Sequence, residues 1–391
     1  MTKVYIENFK CFDRVDLPFG QLTLLTGYNA GGKSTSLQSI LLLTQTLRTN
    51  NRALELRLNG PLLRLGSPAD VINQDRGGNR MLLGIENSAV AIKWLFQADD
   101  SEDRRTLRVV NIEANAAGSK REVSLPEQLD CLLPCGWQEG GGDELVTGLK
   151  EAIFLSALRQ IDNDVFPVPE EPKPTQGDVG TLGEYAAWWL HHFDDDSVAV
   201  ERCANNSGAP RTLRGQVNAW ANELFPGAEV NAQPVPKTSL MRLELRTGRQ
   251  EDWRRPTNIG YGLSYAFPAL LAGLLAKRGQ ILIIDSPEAH LHPQGQSRMG
   301  GFLAQIAAAG PQVILETHSD HVLNGIRVAV RDKAINADQV SIQFFNPRDG
   351  ERKGIPQVVA VSVDEKGNLS HWPEGFFDQS EKDLASLAGW V

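Results

Sequence analysis

The sequence lacks the features that would place the chain in a membrane or outside the cell. No apolar run approaches the roughly 20 residues that a membrane-spanning helix needs, and the N-terminus has no signal-peptide apolar segment. Basic residues are outnumbered, with 39 Lys and Arg against 48 Asp and Glu. We therefore expect a soluble cytoplasmic protein with no membrane partner, in which any contact with nucleic acid depends on a local basic patch.

Cysteine is scarce as well, and there is no long heptad repeat. The four cysteines are Cys11, Cys131, Cys135 and Cys203, which include one C-x-x-x-C pair but no second pair or nearby histidine set to complete a zinc site. We expect reduced thiols. With 391 residues, 41% of them hydrophobic, the chain can bury the core of two domains or of one domain with a large insertion.

What the sequence does contain is a phosphate-binding loop at residues 27–34, Gly-Tyr-Asn-Ala-Gly-Gly-Lys-Ser. It lies between a predicted strand (21–26) and a predicted helix (36–47), which is the context that G-x-x-x-x-G-K-[ST] requires. The backbone N–H groups of such a loop and the start of the helix bind phosphates. Lys33 would contact the β- and γ-phosphates, and Ser34 would bind Mg²⁺. The alternative is a glycine-rich turn with a chance lysine. The predicted nucleotide-binding residues are Asn29, Ala30, Gly31, Gly32, Lys33, Ser34 and Thr35.

A second group of polar residues follows two aliphatic segments nearer the C-terminus. Four aliphatic residues at 281–284 lead to Asp285, the pattern of a buried parallel strand that brings a carboxylate to the edge of a sheet. Asp285 would hold Mg²⁺ together with Ser34, because phosphate-loop enzymes need a second carboxylate for the metal. A core strand that ends at a turn aspartate is the alternative. The next aliphatic segment, 312–316, ends before Thr-His-Ser.

Two stretches resemble bacterial AAA-family ATPases of the ABC type, in particular the OLD (overcoming lysogenization defect) and SMC proteins. One is Ile-Glu-Asn-Phe-Lys-Cys-Phe at 6–12, about fifteen residues before the phosphate loop, and the other is Asp-Ser-Pro-Glu-Ala-His-Leu-His-Pro at 285–293. The resemblance covers about residues 1–115 and 250–345. It implies an α/β fold: an ABC-type P-loop NTPase head with a mixed sheet, which has a parallel core and an antiparallel β subdomain, and with a helical insertion.

The same resemblance assigns the catalytic residues, with one departure. The family carries a glutamate directly after the metal-binding aspartate as general base, and this chain has Ser286 there. A serine hydroxyl has no proton affinity near neutral pH, so either Glu288 takes the role or hydrolysis is slow. His318 resembles the histidine that contacts the γ-phosphate, which makes Glu288 and His318 the predicted catalytic residues. We interpret His290 and His292 as part of a loop facing a second subunit, with a zinc site as the alternative.

The family also has a signature loop, whose helix caps the γ-phosphate of the opposite subunit. The usual Leu-Ser-Gly-Gly-Gln is absent here, but Asn-Ile-Gly-Tyr-Gly-Leu-Ser at 258–264 occupies the corresponding place. Gly262 and Ser264 are the predicted equivalents, with Ser264 capping a helix from Tyr265 to Lys277. An ordinary capped core helix is the alternative.

The remaining segments complete the predicted organisation. Residues 2–12 read as a strand that turns at Asp13-Arg14, residues 81–85, 90–96 and 106–113 as antiparallel strands, and residues 182–193 and 213–225 as helices. We expect 1–115 to be the N-terminal half of the ATPase domain, 116–250 an insertion that is loop-rich and then helical, and 251–391 the C-terminal half with a short tail. That tail leaves no room for the Toprim nuclease that OLD proteins append.

The sequence as a whole predicts a slow ATPase that converts ATP and water to ADP and phosphate, with ATP and Mg²⁺ as cofactors. The resemblance implies a homodimer that forms on ATP and controls a separate effector protein, or handles DNA, in a bacterial phage-defence system. One alternative is a DNA repair or recombination ATPase of the SMC-like class. Another is a scaffold that binds ATP without hydrolysing it.

Overall fold

The computed structural model describes residues 1–49, 52, 54–75, 77–99, 105–116, 119–134, 137, 141–160, 163–170, 175–205, 208–248, 250–347 and 357–388. The residues form two compact units. The first comprises 1–20, 26–152 and 343–360, and the second comprises 21–25, 153–342 and 361–391. Cys135 lies outside the described residues.

The secondary structure alternates between strands and helices along most of the chain. The strands are β1 (Lys3–Phe9), β2 (Phe12–Pro18), β3 (Leu22–Gly27), β4 (Glu55–Arg57), β5 (Arg80–Glu86), β6 (Val90–Gln97), β7 (Thr106–Ala116), β8 (Ser119–Ser124), β9 (Leu129–Asp130), β10 (Leu133–Pro134), β11 (Ile153–Leu155), β12 (Val165–Pro167), β13 (Glu229–Pro234), β14 (Leu240–Arg246), β15 (Ile281–Asp285), β16 (Gln312–Glu316), β17 (Val340–Phe345) and β18 (Val358–Val361). The helices are α1 (Lys33–Thr49), α2 (Pro68–Val71), α3 (Gly142–Lys150), α4 (Ala186–His192), α5 (Leu213–Leu224), α6 (Tyr261–Leu275), α7 (Pro293–Ala308), α8 (Asp320–Arg331) and α9 (Gln379–Leu387).

The first unit contains a seven-stranded antiparallel sheet in the order β2-β1-β5-β6-β7-β4, with β8 beside β7. Along β6, buried residues alternate with half-buried ones, as expected for a sheet with one face on the core. This confirms the predicted antiparallel subdomain. The first turn is three residues earlier than predicted, because Phe9 already pairs with Phe12. Asn8 and Lys10, with φ of 56° and 50°, make that tight reversal.

The second unit contains the parallel core. Strands β11, β15, β16 and β3 pair in parallel in that order. The four aliphatic side chains of β15 are at most 3% exposed, which is typical of a parallel strand covered on both faces. Asp285 and Glu316 are partners at the carboxyl ends of β15 and β16. The predicted mixed α/β fold is thus confirmed, including the strands at 281–285 and 312–316.

Helices of the second unit pack closely around this sheet. In α6 every residue except Tyr261 and Tyr265 is buried, as expected for a helix that is apolar on all sides. Helices α7 and α8 approach so closely that a Cβ atom on Gly325 would lie 1.9 Å from the carbonyl oxygen of Ser297. Helix α4 begins at Ala186, four residues later than predicted, because Gly180 and Gly183 turn the chain with φ near 80°.

The segment predicted as an insertion contains more strand than expected. Besides α3, α4 and α5 it includes β11, which pairs with β15 and so belongs to the parallel sheet. A loop-rich and then helical description of 116–250 is therefore incomplete. The division at residues 115 and 250 stays a prediction. Within the described part of the chain, no helix has the length and apolar character needed to cross a membrane.

Candidate nucleotide site

The phosphate loop joins the end of β3 to the start of α1, as predicted. Its backbone is held in conformations that favour glycine: Gly27 and Gly32 have φ of 124° and 113°. A Cβ atom on Gly27 would lie 2.3 Å from the carbonyl oxygen of Phe345, and one on Gly32 would lie 2.4 Å from the ring of Phe12. Ala30 also has a positive φ, of 60°. The glycines are therefore required by close packing as well as by the turn.

Lys33 is the first residue of α1 and is directed back over the loop. Its ammonium donates to the carbonyl oxygens of Gly27 at 3.0 Å and Tyr28 at 2.7 Å. The side chain is only 4% exposed, and the first turn of α1 contains no acidic residue. A buried cation beside an uncompensated helix N-terminus is a setting that favours an anion. This donor set fits a polyphosphate.

The other loop residues surround this cation with different degrees of exposure. Ser34, Asn29 and Ala30 are exposed, Thr35 is half-buried, and Gly31 and Gly32 are buried. The side chain of Gln357 donates to the carbonyl oxygens of Gly31 and Cys11, each at 3.3 Å. All seven predicted nucleotide-binding residues therefore belong to one continuous loop and first helical turn, and their contacts with a nucleotide stay a prediction.

The acid edge of the second unit, residues 285–288, follows β15 directly. The hydroxyl of Ser286 donates to Oδ1 of Asp285 at 3.0 Å, and the Ser286 N–H donates to the carbonyl oxygen of Glu316 at 2.9 Å. Burial raises the pKa of Asp285 above its ordinary value, while the hydrogen bond from Ser286 and the charge of Arg159 lower it. The net effect is a raised pKa, so the ionised form of Asp285 is unfavourable unless a cation lies nearby.

Glu288 is held at the same edge by His318. The backbone N–H of His318 donates to Oε1 of Glu288 at 3.0 Å. The second carboxylate oxygen, Oε2, is buried and has no hydrogen-bond partner among the described residues. A buried carboxylate oxygen without a donor is costly. The structure therefore brings Asp285, Glu288 and His318 together, although their catalytic roles stay a prediction.

Arg159, which follows strand β11 in the sequence, belongs to this edge. Its guanidinium donates to the carbonyl oxygens of Tyr265 at 2.8 Å, Asp285 at 3.1 Å and Ser286 at 3.2 Å. The side chain is 6% exposed, and burial lowers its pKa to about 10. The only sequence signal was an arginine shortly after an apolar strand, which by itself does not identify its partners.

Ser264 does not occupy the position predicted for it. Helix α6 begins at Tyr261 with Gly260 before it, so Ser264 lies within the helix and does not cap it. Its hydroxyl is buried and has no partner among the described residues. Gly262 is in the first turn, where a Cβ atom would lie 2.8 Å from the carbonyl oxygen of His290. The glycine lets the loop after the acid edge approach α6 closely, which explains why the helix starts earlier.

The two histidines of this loop differ in their surroundings. His290 is exposed, and its ring centroid lies 4.4 Å from that of Tyr265 and 5.7 Å from that of Tyr261. His292 precedes α7, and its Nδ1 accepts from the N–H of Gln294 at 3.4 Å. A role for either residue in facing a second subunit stays a prediction.

The candidate ligands for a metal ion are oxygen-bearing side chains. Within the described ranges no three His, Cys, Asp or Glu side chains are grouped as a metal site. Magnesium in nucleotide sites commonly has one or two protein ligands and completes its shell with water and phosphate oxygens. A hydroxyl such as that of Ser34 and a buried carboxylate such as Asp285 fit this ligand chemistry.

Three family models match separate parts of the chain. "AAA ATPase domain" matches residues 1–128, which include the phosphate loop. "AAA domain, putative AbiEii toxin, Type IV TA system" matches residues 190–324, which include the acid edge and His318. "Protein of unknown function (DUF3696)" matches residues 335–387. The two ATPase models therefore cover both groups of candidate residues.

Individual proteins are similar over most of the chain. The OLD nuclease of Thermus scotoductus is 22% identical over 386 residues, which cover 89% of this chain and 65% of that protein. The Old nuclease of Escherichia phage P2 is 22% identical over 354 residues, which cover 84% and 58%. The chain thus spans less than two thirds of the length of either relative. An SMC head bound to the C-winged helix domain of ScpA matches 93% of this chain and 98% of that one, at 15% identity and with a TM-score of 0.47.

Proposed function

We propose, from the premise that the chain is an ABC-type ATPase of the OLD- and SMC-like kind, that it works as a slow ATP-driven switch in a bacterial defence system. In this proposal ATP makes two copies associate, and the dimer controls a separate cytoplasmic effector protein. The description of one matching family as a toxin of a type IV toxin–antitoxin system supports the link to defence.

The main support for the proposal is the different hydrogen bonding of Ser286 and Glu288 at the acid edge. The Ser286 hydroxyl is engaged with Asp285, whereas Glu288 has one oxygen fixed by the His318 N–H and the other buried without a partner. This supports Glu288 as the carboxylate that accepts a proton from water. A base displaced by two residues from its usual place supports slow turnover, which suits a switch whose ATP-bound state must last.

The chain's own residues divide the remaining tasks. Bound Mg²⁺·ATP would supply the phosphoryl group and the charge that Ser34 and Asp285 complement. Lys33 binds the phosphates, and His318 stabilises charge near the γ-phosphate. The start of α6 is the proposed contact with a second copy. Gly262 and Ser264 are both buried, so either residue reaches a phosphate in trans only if α6 shifts.

Sedimentation velocity tests the switch directly. We expect the apparent mass to rise from monomer towards dimer when ATP and Mg²⁺ are added, and to stay unchanged for Lys33→Ala. A strict monomer in both conditions, for a parent protein shown to bind ATP, would contradict the proposal. A dimer that forms equally without nucleotide would contradict the ATP-dependent step.

DNA handling is a second candidate, favoured by one basic feature of the otherwise acidic chain. Arg52, Arg57 and Arg105 line a surface cavity of about 490 Å³ at β4 of the first unit. Clustered arginines are the residues expected to meet phosphates. Binding to a DNA duplex that weakens steeply with salt, and weakens further in Arg57→Gln, would favour this role over effector control. Equal binding by the variant would argue against it.

A further inference from the structure

The side chain of Arg159 joins two parts of the second unit that sequence places far apart. Its hydrogen bonds reach Tyr265, in the second turn of α6, and the consecutive carbonyls of Asp285 and Ser286. The Arg159 guanidinium also lies 5.5 Å from the ring centroid of Tyr265. One buried group therefore spans the start of α6 and the acid edge.

Burying this cation is costly, and its position shows no compensating ion pair. Among the residues that the structure describes, no carboxylate lies within ion-pair distance of Arg159, and its Nε is buried without a partner. An apolar side chain would fill the same space at lower cost. The charges of Asp285 and Glu288 favour the cation and offset part of this cost. The hydrogen bonds to main-chain carbonyls add a different benefit, because they fix the backbone.

The backbone that Arg159 fixes is strained. Ser286 has a φ of 51°, a left-handed conformation that is unfavourable for a non-glycine residue. The residue lies directly between Asp285 and the Pro287-Glu288 pair, so its conformation determines where both carboxylates point. Such strain persists only where neighbouring contacts impose it. Two of those contacts are the hydrogen bonds from Arg159.

We propose that Arg159 is a positioning residue that locks the Ser286 turn and the start of α6 in one arrangement, so that Asp285 and Glu288 are held in place for catalysis. This inference rests on the proposed ATPase function. It gives Arg159 no contact with nucleotide, and it predicts that its loss disturbs the chemical step and not the phosphate loop.

Arg202 offers a matched control within the same unit. It is also buried, its Nη1 also donates to two carbonyl oxygens of the α6 region, those of Leu274 and Ala276, and its Nε is likewise without a partner. These contacts are at the opposite end of α6 from the acid edge. If both arginines only stabilised the fold, replacing either of them should therefore have similar effects.

The test compares Arg159→Met with Arg202→Met in the full chain. For Arg159→Met we expect kcat to fall about 10- to 100-fold, the range seen when a supporting contact of a site is lost, with the KM for ATP within about threefold of the parent. For Arg202→Met we expect a lower unfolding midpoint but a kcat within about twofold of the parent. Arg159→Lys, which can still reach one carbonyl, should recover part of the loss.

A second readout does not depend on turnover. Hydrogen–deuterium exchange of peptides covering residues 285–291 should speed up in Arg159→Met and stay at the parent rate in Arg202→Met. Equal kcat and equal exchange in the two variants would overturn the proposal. If the parent shows no ATP hydrolysis, the proposed function fails, and the exchange comparison still decides the role of Arg159. If Arg159→Met does not fold, Arg159→Lys is measured against Arg202→Lys with the same criteria.

Discussion

Replacing Glu288 with glutamine isolates one carboxylate oxygen at the acid edge. Glutamine has the same shape, and its carbonyl oxygen can keep the 3.0 Å hydrogen bond from the His318 N–H. The substitution therefore changes the second carboxylate oxygen, Oε2, which is a buried acceptor without a partner among the described residues. In glutamine an NH₂ group takes its place. A buried polar group without a partner costs about 1–3 kcal/mol, in the parent and in the variant alike. The free energy of unfolding should therefore change little, although the negative charge is lost.

The expected effect on turnover is large because the variant cannot accept a proton from water. Loss of a general base lowers rates by roughly 10²–10⁴-fold, which corresponds to about 3–5 kcal/mol in the activation barrier. Phosphate release measures kcat, and equilibrium titration with a fluorescent ATP analogue measures affinity, which should stay near the parent value.

Glu201→Gln, at an exposed glutamate of the same unit, controls for the chemical change itself and should leave kcat unaltered. Parent-like turnover in Glu288→Gln with ATP binding intact would refute the reasoning and make Glu288 a structural residue. A parent without any turnover would favour the binding-only scaffold.

Two further variants test the two candidate groups separately. Lys33→Ala should abolish ATP binding with the fold retained, because it removes the ammonium over Gly27 and Tyr28; unchanged affinity in a folded variant would dismiss the loop assignment. Asp285→Asn should weaken Mg²⁺-dependent ATP binding yet unfold at the same or a higher temperature at pH 7. The folded state raises the pKa of Asp285, so its ionisation opposes folding at neutral pH, and this penalty disappears as pH falls below the unfolded-state value near 3.9. The increase in unfolding temperature of the variant over the parent should therefore become smaller in melting curves taken towards pH 3. An increase that is independent of pH would contradict the assignment.

Local signals predicted the elements that carry the candidate residues. The loop at 27–34 needs glycines at particular positions of its backbone, and the sequence shows that spacing directly. A strand buried on both faces needs consecutive aliphatic residues, and these precede Asp285. The strands at 281–285 and 312–316 consequently match β15 and β16 in both bounds. In these segments the residues that make the structure are adjacent in sequence.

Long-range contacts account for what the sequence did not show. The partners of Arg159 are 106, 126 and 127 residues away, so no spacing rule connects them. The start of α6 depends on the loop at His290, whose carbonyl oxygen comes close enough to Gly262 that only a glycine fits there. Ser264 looked like a helix cap because serine favours that position, but tertiary packing extends the helix past it.

Ser286 shows how a departure from the family pattern can follow from the local structure. Its hydroxyl donates to Asp285, its N–H donates to Glu316, and its carbonyl oxygen accepts from Arg159. Every polar group of the residue thus makes a hydrogen bond at the acid edge, and its hydroxyl hydrogen is already donated to Asp285. The left-handed turn at Ser286 carries the chain on to Glu288, whose free acceptor lies at the same edge. We therefore expect hydrolysis without a glutamate beside Asp285, because the turn brings a carboxylate to the same edge two residues later, and turnover should depend on Glu288.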